Sequence, residues 1–190
     1  MLGSRSLKMT NKPREYYLSE TERQIEVKEA EMDHAAAMGE VHVLVWQETY
    51  TGQMPASFLA SLDPARRAEM WSKAIAENAP HHRILVATLD EELVGFVSYG
   101  RGRVKELEGA GEIYALNLVK RAQGLGIGSR LFDAAREHLK AMGYDKKGLW
   151  VLDTNYHAIQ FYQRKGATDS GQRGIIQIGG VGISETLMTF

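Results

Sequence analysis

Three glycines, Gly124, Gly126 and Gly128, crowd the stretch Gln123-Gly124-Leu125-Gly126-Ile127-Gly128-Ser129. A strand-like run from Glu112 to Val119 precedes them, and an amphipathic run to about Met142 follows. The spacing therefore predicts strand, glycine loop, helix. Glycine has no Cβ, so an anion can approach the backbone and the loop N–H groups can turn toward it. The first turn of a helix adds unpaired donors and a partial positive charge. The chemistry that suits such a loop is the holding of a pyrophosphate. Two other phosphate signatures fit poorly. No GxxxxGK[ST] string occurs. A GxGxxG fingerprint matches Gly124 and Gly126 but meets Ser129 at its last glycine, and the loop lies too late in the chain to open a dinucleotide half-fold.

A second group of residues follows downstream. Leu149 to Leu152 is a short apolar strand, Asn155 suits the N-cap of a helix over Tyr156 to Lys165, and Gly166 stops that helix. There is no cysteine, which excludes a thiol nucleophile, a disulfide framework and a Cys-ligated metal. The six histidines show no metal-ligand spacing. His81 and His82 are expected on a loop surface, His157 near a cleft, and His42 and His138 on helices.

The string Gln123-x-x-Gly126-x-Gly128 resembles the acyl-CoA signature [QR]-x-x-G-x-[GA] of the GNAT superfamily of N-acetyltransferases. Leu149 to Gly166 (LWVLDTNYHAIQFYQRKG) resembles that family's second motif: a strand, an Asn, then a helix with Phe-Tyr-x-x-x-Gly. Val27 to Leu62 is similar to the substrate-side helices of some members, with Trp46, Thr49, Tyr50, Gly52 and Pro55 in matching places. The likeness spans roughly residues 24 to 190.

The resemblance implies a cofactor, a set of site residues and a reaction. Acetyl-CoA is the expected co-substrate, with no metal. Its pyrophosphate is expected on the backbone of Gln123, Gly124, Leu125, Gly126, Ile127, Gly128 and Ser129. Its pantetheine arm is expected to pair with the main chain of Leu116 and Leu118 where the sheet splays. Asn155 matches a cofactor-contacting Asn. Tyr162 matches a tyrosine that protonates the leaving thiolate, and its other reading is a core aromatic. Glu112 falls where some members carry a glutamate base, and its other reading is a solvated strand-end carboxylate. Arg121, Arg130 and Arg164 are placed either to meet phosphates or simply to face water. The acceptor is expected to be a primary amine of a small molecule, such as a polyamine or amino-acid-like compound. A protein N-terminus or lysine is the alternative, and a non-catalytic acetyl-CoA sensor is the alternative of another class. A homodimer is an assembly the resemblance allows.

The elements that must position these residues can be read from the rest of the chain. With 190 residues, one domain over 23–190 is expected, after an N-terminal extension over 1–22. Gln24 to Lys28 is a first strand and Asp33 a helix N-cap, with apolar positions Ala37, Val41, Val45 and Trp46 at helical spacing. Gln47 to Pro55 is a connection, and Ser57 to Asn78 holds one or two helices broken near Asp63-Pro64. Ile84 to Leu89 and Leu93 to Tyr99 form a hairpin, and Gly100 to Gly111 is a loop. Two strand-like stretches, Ile175 to Ile178 and Leu187 to Phe190, end the chain. The expected fold is α/β, a mostly antiparallel mixed sheet of six to seven strands, splayed near the cofactor, with helices on both faces. Net charge is −1, with 23 basic and 24 acidic residues, which gives no footprint for nucleic acid or an anionic membrane. No apolar run approaches the ~18 residues of a membrane span, and a cytoplasmic protein is expected.

Overall fold

The computed structural model describes residues 23–190. The expected extension over residues 1–22 lies outside the described residues. The elements are β1 (Ile25–Glu29), α1 (Ala35–Tyr50), α2 (Ala56–Ala60), α3 (Pro64–Glu77), β2 (His82–Leu89), β3 (Glu92–Arg101), β4 (Gly111–Leu118), α4 (Ile127–Ala141), β5 (Lys147–Leu152), α5 (Tyr156–Arg164), β6 (Thr168–Ile178) and β7 (Val181–Thr189). The seven strands form one sheet in the order β1-β2-β3-β4-β5-β7-β6. Every neighbouring pair is antiparallel except β4 and β5. This is the mixed α/β sheet expected from the sequence.

Alternation along β3 divides the helices between two faces. Phe96 packs against Trp71 of α3, with ring centroids 4.8 Å apart, and lies beside His42 of α1. Tyr99, on the opposite face, shares a 2.5 Å hydrogen bond with His138 of α4. The stripe Ile127, Leu131, Ala135 and Leu139 of α4 is fully buried, joined by Phe132. Each large member of that stripe contributes roughly 1.5–3 kcal/mol by leaving water. The hairpin of β2 and β3 turns at Asp90 and Glu91, both with positive φ, as a tight two-residue turn demands. Asp90 also accepts the backbone N–H of Gln24 at 2.9 Å, which fixes the start of β1.

Several boundaries differ from the sequence reading, each for a local reason. Asp33 is not the N-cap. Glu31 caps a 3-10 turn over Met32–His34 instead, and His34 Nδ1 accepts the Glu31 N–H at 2.8 Å in return. The expected connection from Gln47 begins later, because α1 continues to Tyr50 and closes with Thr51 Oγ1 donating to Gln47 O at 2.6 Å. Asp63 and Pro64 do start a helix, since Asp63 Oδ1 accepts the N–H of Ala65 at 2.9 Å. The last hairpin is longer than its apolar stretches suggest. The polar segment Thr168 to Gly174 belongs to β6, whose position at the sheet edge lets water satisfy it. The loop Gly100 to Gly111 is pinned by a 3-10 turn that buries Leu107 against Leu187, Ala110 and Trp150. Among the described residues no helix is long and apolar enough to cross a membrane.

Candidate active site

The feature that creates the site is the short junction of β4 and β5. Only Gly111 with Lys147 and Glu112 with Gly148 are paired. Beyond these residues β4 runs on to Leu118 and β5 to Leu152 without pairing each other, so the sheet splays as the family resemblance implies. Opposite the junction, the β3 register passes from Ile113 with Tyr99 to Ala115 with Ser98, which leaves Tyr114 as a bulge. Its hydroxyl donates to Arg101 O at 2.6 Å.

Strand parity tells which main-chain groups face the opening. Val119 N–H donates to Val94 O of β3 at 3.0 Å. Leu118, one residue earlier, therefore turns its main chain away from β3, and so does Leu116. The Leu118 carbonyl is already met by Gln123 Nε2 at 3.3 Å, whereas nothing in the sheet pairs with Leu116 on that side.

The glycine loop stands at the end of β4. Gly124 and Gly126 have φ of +78° and +80°, a region that other residues adopt only with strain, and a Cβ on either would meet nothing within 4 Å. The loop face is therefore open above these two positions. Gly126 is the N-cap of α4 and no side chain caps the helix. The first intrahelical bond runs from Arg130 N–H to Gly126 O, so Ile127, Gly128 and Ser129 keep unpaired donors. Gly128 plays a different part. A Cβ there would lie in ordinary contact, 3.6 Å from Leu118 Cδ2 and 3.7 Å from Phe161, so this position faces β4 and α5 rather than the open loop face. The three arginines weighed for phosphates divide. Arg121 is ion-paired with Glu92, Arg130 donates to Ile25 O at 3.3 Å, and Arg164 is exposed.

A cleft of about 1100 Å³ occupies the splay. That exceeds the usual pocket for one small ligand and gives room for two reactants end to end. Leu116, Asn155, Ala158 and Tyr162 line it together with Tyr50, Trp46, Glu112, Trp150 and Glu185. Asn155 is the N-cap of α5, with Oδ1 accepting Ala158 N–H at 3.1 Å, and its Nδ2 donates to Tyr50 Oη at 3.4 Å. The longer α1 is what brings Tyr50 over α5. Tyr162 is 8% exposed, and burial pushes its phenol above the usual tyrosine range. The proton is firmly held at neutral pH.

Glu112 is not a solvated strand-end carboxylate. It is 2% exposed, and its oxygens accept the Arg103 N–H at 2.8 Å and the Arg103 guanidinium at 2.6 Å. To act as a base it has to be released by Arg103. Glu185, His82 and His42 line the cleft although the sequence reading placed none of them there. Glu185 lies in a stretch without apolar signal. His82 opens β2 rather than sitting on a loop, and bonds Ser98 at 2.8 Å. His42 is buried between Trp46 and Trp71, its Nδ1 accepting the Trp71 indole N–H at 3.2 Å. His157 does not line the cleft.

Comparison with known proteins gives the family and the fold. Residues 29–167 match the model of the acetyltransferase (GNAT) family. The chain is 29% identical over 140 residues to the N-acetyltransferase YuaI of Bacillus subtilis (strain 168), covering 73% of this chain and 78% of that one. It is 34% identical over 101 residues to a mycothiol acetyltransferase of Streptomyces avermitilis, covering 53% of this chain but only 30% of that one. Among solved structures, the PaiA N-acetyltransferase of Thermoplasma acidophilum in complex with coenzyme A superposes with a TM-score of 0.71 at 21% identity, covering 87% of this chain and 98% of that one. At that identity the likeness concerns the fold.

Proposed function

The chain belongs to the acetyltransferase (GNAT) family, and from that premise we propose that it moves an acetyl group from acetyl-CoA directly to the primary amine of a small molecule. The activity, acetyl-CoA-dependent N-acetyl transfer, is the family's, and the acceptor class is our reading. The observation that carries the reading is the single continuous cleft. It runs along the unpaired edge of β4, and Tyr50, Trp46 and Trp150 line it together with Glu112 and Glu185, carboxylates suited to a cation. Aromatic walls with a few polar groups suit a small acceptor better than an extended chain.

The proposed roles follow from position. Acetyl-CoA supplies an activated acetyl thioester. The backbone of the glycine loop, from Gln123 through Ser129, receives its pyrophosphate, although the Gln123 N–H already donates to Lys120 O at 3.1 Å. The main chain of Leu116 pairs with its amide arm, while Leu118 has to exchange its bond to Gln123. Asn155, held by its cap bond, keeps its amide toward Tyr50 and the cleft. Holding amine and thioester together converts a bimolecular encounter into a local one. Tyr162 donates its proton to the departing sulfur. A phenol is a weak acid for this task, but burial beside Tyr162 would also raise the affinity of the thiolate for a proton. Glu112 takes part in accepting the ammonium proton if Arg103 lets go.

Thiol release should be measured with a panel of alkyl amines, polyamines, amino acids and a lysine-containing peptide, with acetyl-CoA binding followed in parallel. Turnover with small amines is expected. A preference for the peptide would sink the small-molecule assignment, and binding without turnover on any acceptor would leave a sensor.

A further inference from the structure

Two carboxylates on the cleft, Glu112 and Glu185, differ in what already engages them. Glu112 is closed off by Arg103. Glu185 lies on β7, paired in register with Leu152 of β5 and Gly174 of β6, on the same side of the sheet as Trp150. It is partly exposed to the cleft, and no hydrogen bond or cation among the described residues acts on its carboxylate. Room for it comes from its neighbour. A Cβ on Gly174 would sit 2.9 Å from Glu185 Oε1 and 3.1 Å from Trp150 Cζ3.

The charged groups around it leave a deficit of positive charge. Glu112 and Asp153 repel the Glu185 carboxylate. Thr186 Oγ1 donates to Asp153 at 2.6 Å, which holds that residue without adding a cation. Of the cations on the cleft, Arg103 is taken by Glu112, and Arg173 grips Asp169 through bonds of 2.8 and 2.9 Å. Glu106, also on the cleft, adds another negative charge. Burial, followed by the like charges of Asp153 and Glu112, raises the Glu185 carboxyl above its ordinary range, the direction that favours taking up a proton.

Building on the amine-acceptor reading, we propose that Glu185 receives the ammonium group of the acceptor and takes its proton. The N–H bond of the ammonium breaks, its electron pair stays on nitrogen as the attacking lone pair, and the proton bonds a Glu185 oxygen. The proton leaves to solvent through the open cleft in the next cycle. An incoming ammonium also supplies the cation that Glu185 lacks.

The test compares wild type, Glu185→Gln and Glu112→Gln with n-butylamine and spermidine as acceptors. kcat/KM is followed from pH 6 to pH 10, with acetyl-CoA affinity measured by calorimetry. Glutamine keeps the shape of Glu185 while removing its negative charge and its capacity as a base. Glu185→Gln is expected to lower kcat/KM for the amine by about 10²- to 10⁴-fold near neutral pH, with acetyl-CoA affinity unchanged. Wild-type kcat/KM falls as pH drops through the raised Glu185 value, because the carboxylate is then already protonated. In the variant that limb disappears and the rate follows deprotonation of the free amine alone. Equal rates with parallel profiles in wild type and Glu185→Gln would overturn the proposal, as would a rise in KM with an unchanged pH profile. A wild type that binds acetyl-CoA but acetylates neither amine would remove the amine-acceptor reading, and this assignment with it.

Discussion

Two side chains show how burial sets what a single residue can do. Tyr162 is enclosed between α5 and the cleft, with Phe132 and Phe161 rings within 6 Å. It belongs to the packed core and to the cleft at once. Tyr162→Phe removes only the hydroxyl, so the fold and acetyl-CoA affinity should persist while kcat falls by about 10- to 10⁴-fold. Unchanged turnover, with chemistry shown to be rate-limiting, would make Tyr162 a packing residue. His42 is the second case. The indole N–H of Trp71 can only donate, so His42 Nδ1 must accept and the ring proton sits on Nε2, which finds no partner among the described residues. Burial lowers the His42 pKa to about 4, from an ordinary 6.5. The unfolded chain therefore gains a proton below pH 6.5 that the folded protein refuses until near pH 4. Stability contributed by keeping this ring neutral is complete above pH 6.5 and is lost as pH falls toward 4, by about 3 kcal/mol in all. Urea unfolding at pH 7, 5.5 and 4.5 should show a steeper loss for wild type than for His42→Phe. Identical slopes would mean that His42 takes up its proton as readily in the folded protein as in the unfolded chain.

At the scale of elements, the loop that opens α4 shows how a backbone conformation becomes a binding surface. Gly126 carries positive φ, has open space above it and caps the helix without a side-chain bond. Asn and Asp tolerate this conformation better than other residues with a Cβ, and they are nearly equal in size. Gly126→Asn and Gly126→Asp should thus be destabilised alike, while only the Asp variant adds negative charge where the pyrophosphate is proposed to lie. Acetyl-CoA should bind Gly126→Asp at least ~10-fold more weakly than Gly126→Asn, which corresponds to about 1.4 kcal/mol. Equal affinities would place the phosphates elsewhere. This element was fully legible in the sequence, because glycines and a strong apolar stripe are local signals. So was the β2–β3 hairpin, and so was the break at Asp63-Pro64. The polar half of β6 was not, since an edge strand facing water needs no apolar alternation. The true N-cap was missed for a related reason: Glu31 and His34 cap each other through a reciprocal bond that residue type alone does not announce. Glu185 could not be found from sequence, because its meaning depends on Gly174, Leu152 and Glu112, which join it only through strand register. Arg103 likewise changes the standing of Glu112 from a loop that carries no motif.

Across the whole molecule the sheet consists of two parts, β1 to β4 and β5 with β7 and β6, that share only the two pairs at Gly111 and Glu112. Helices α1 and α4 pack chiefly on the first part. A ligand that pairs with the free edge of β4 and also touches α5 would tie the parts together, and it would raise the melting temperature as any ligand selective for the folded state does. Amide exchange is the sharper measurement. Saturating acetyl-CoA should slow exchange in β5 and the outer part of β4, whose facing edges are unpaired, more than in β2 and β3, which are paired on both sides. Uniform protection across the sheet would show that the parts already open and close as one. The short seam has a further consequence for how affinity is to be interpreted. Where the two parts can open below the cost of global unfolding, the apparent grip on the co-substrate is the intrinsic grip reduced by the fraction of molecules whose seam is closed. A substitution at Gly111 or Gly148, far from any phosphate, would then weaken binding by shifting that fraction alone, and adding a second ligand that closes the seam would restore it.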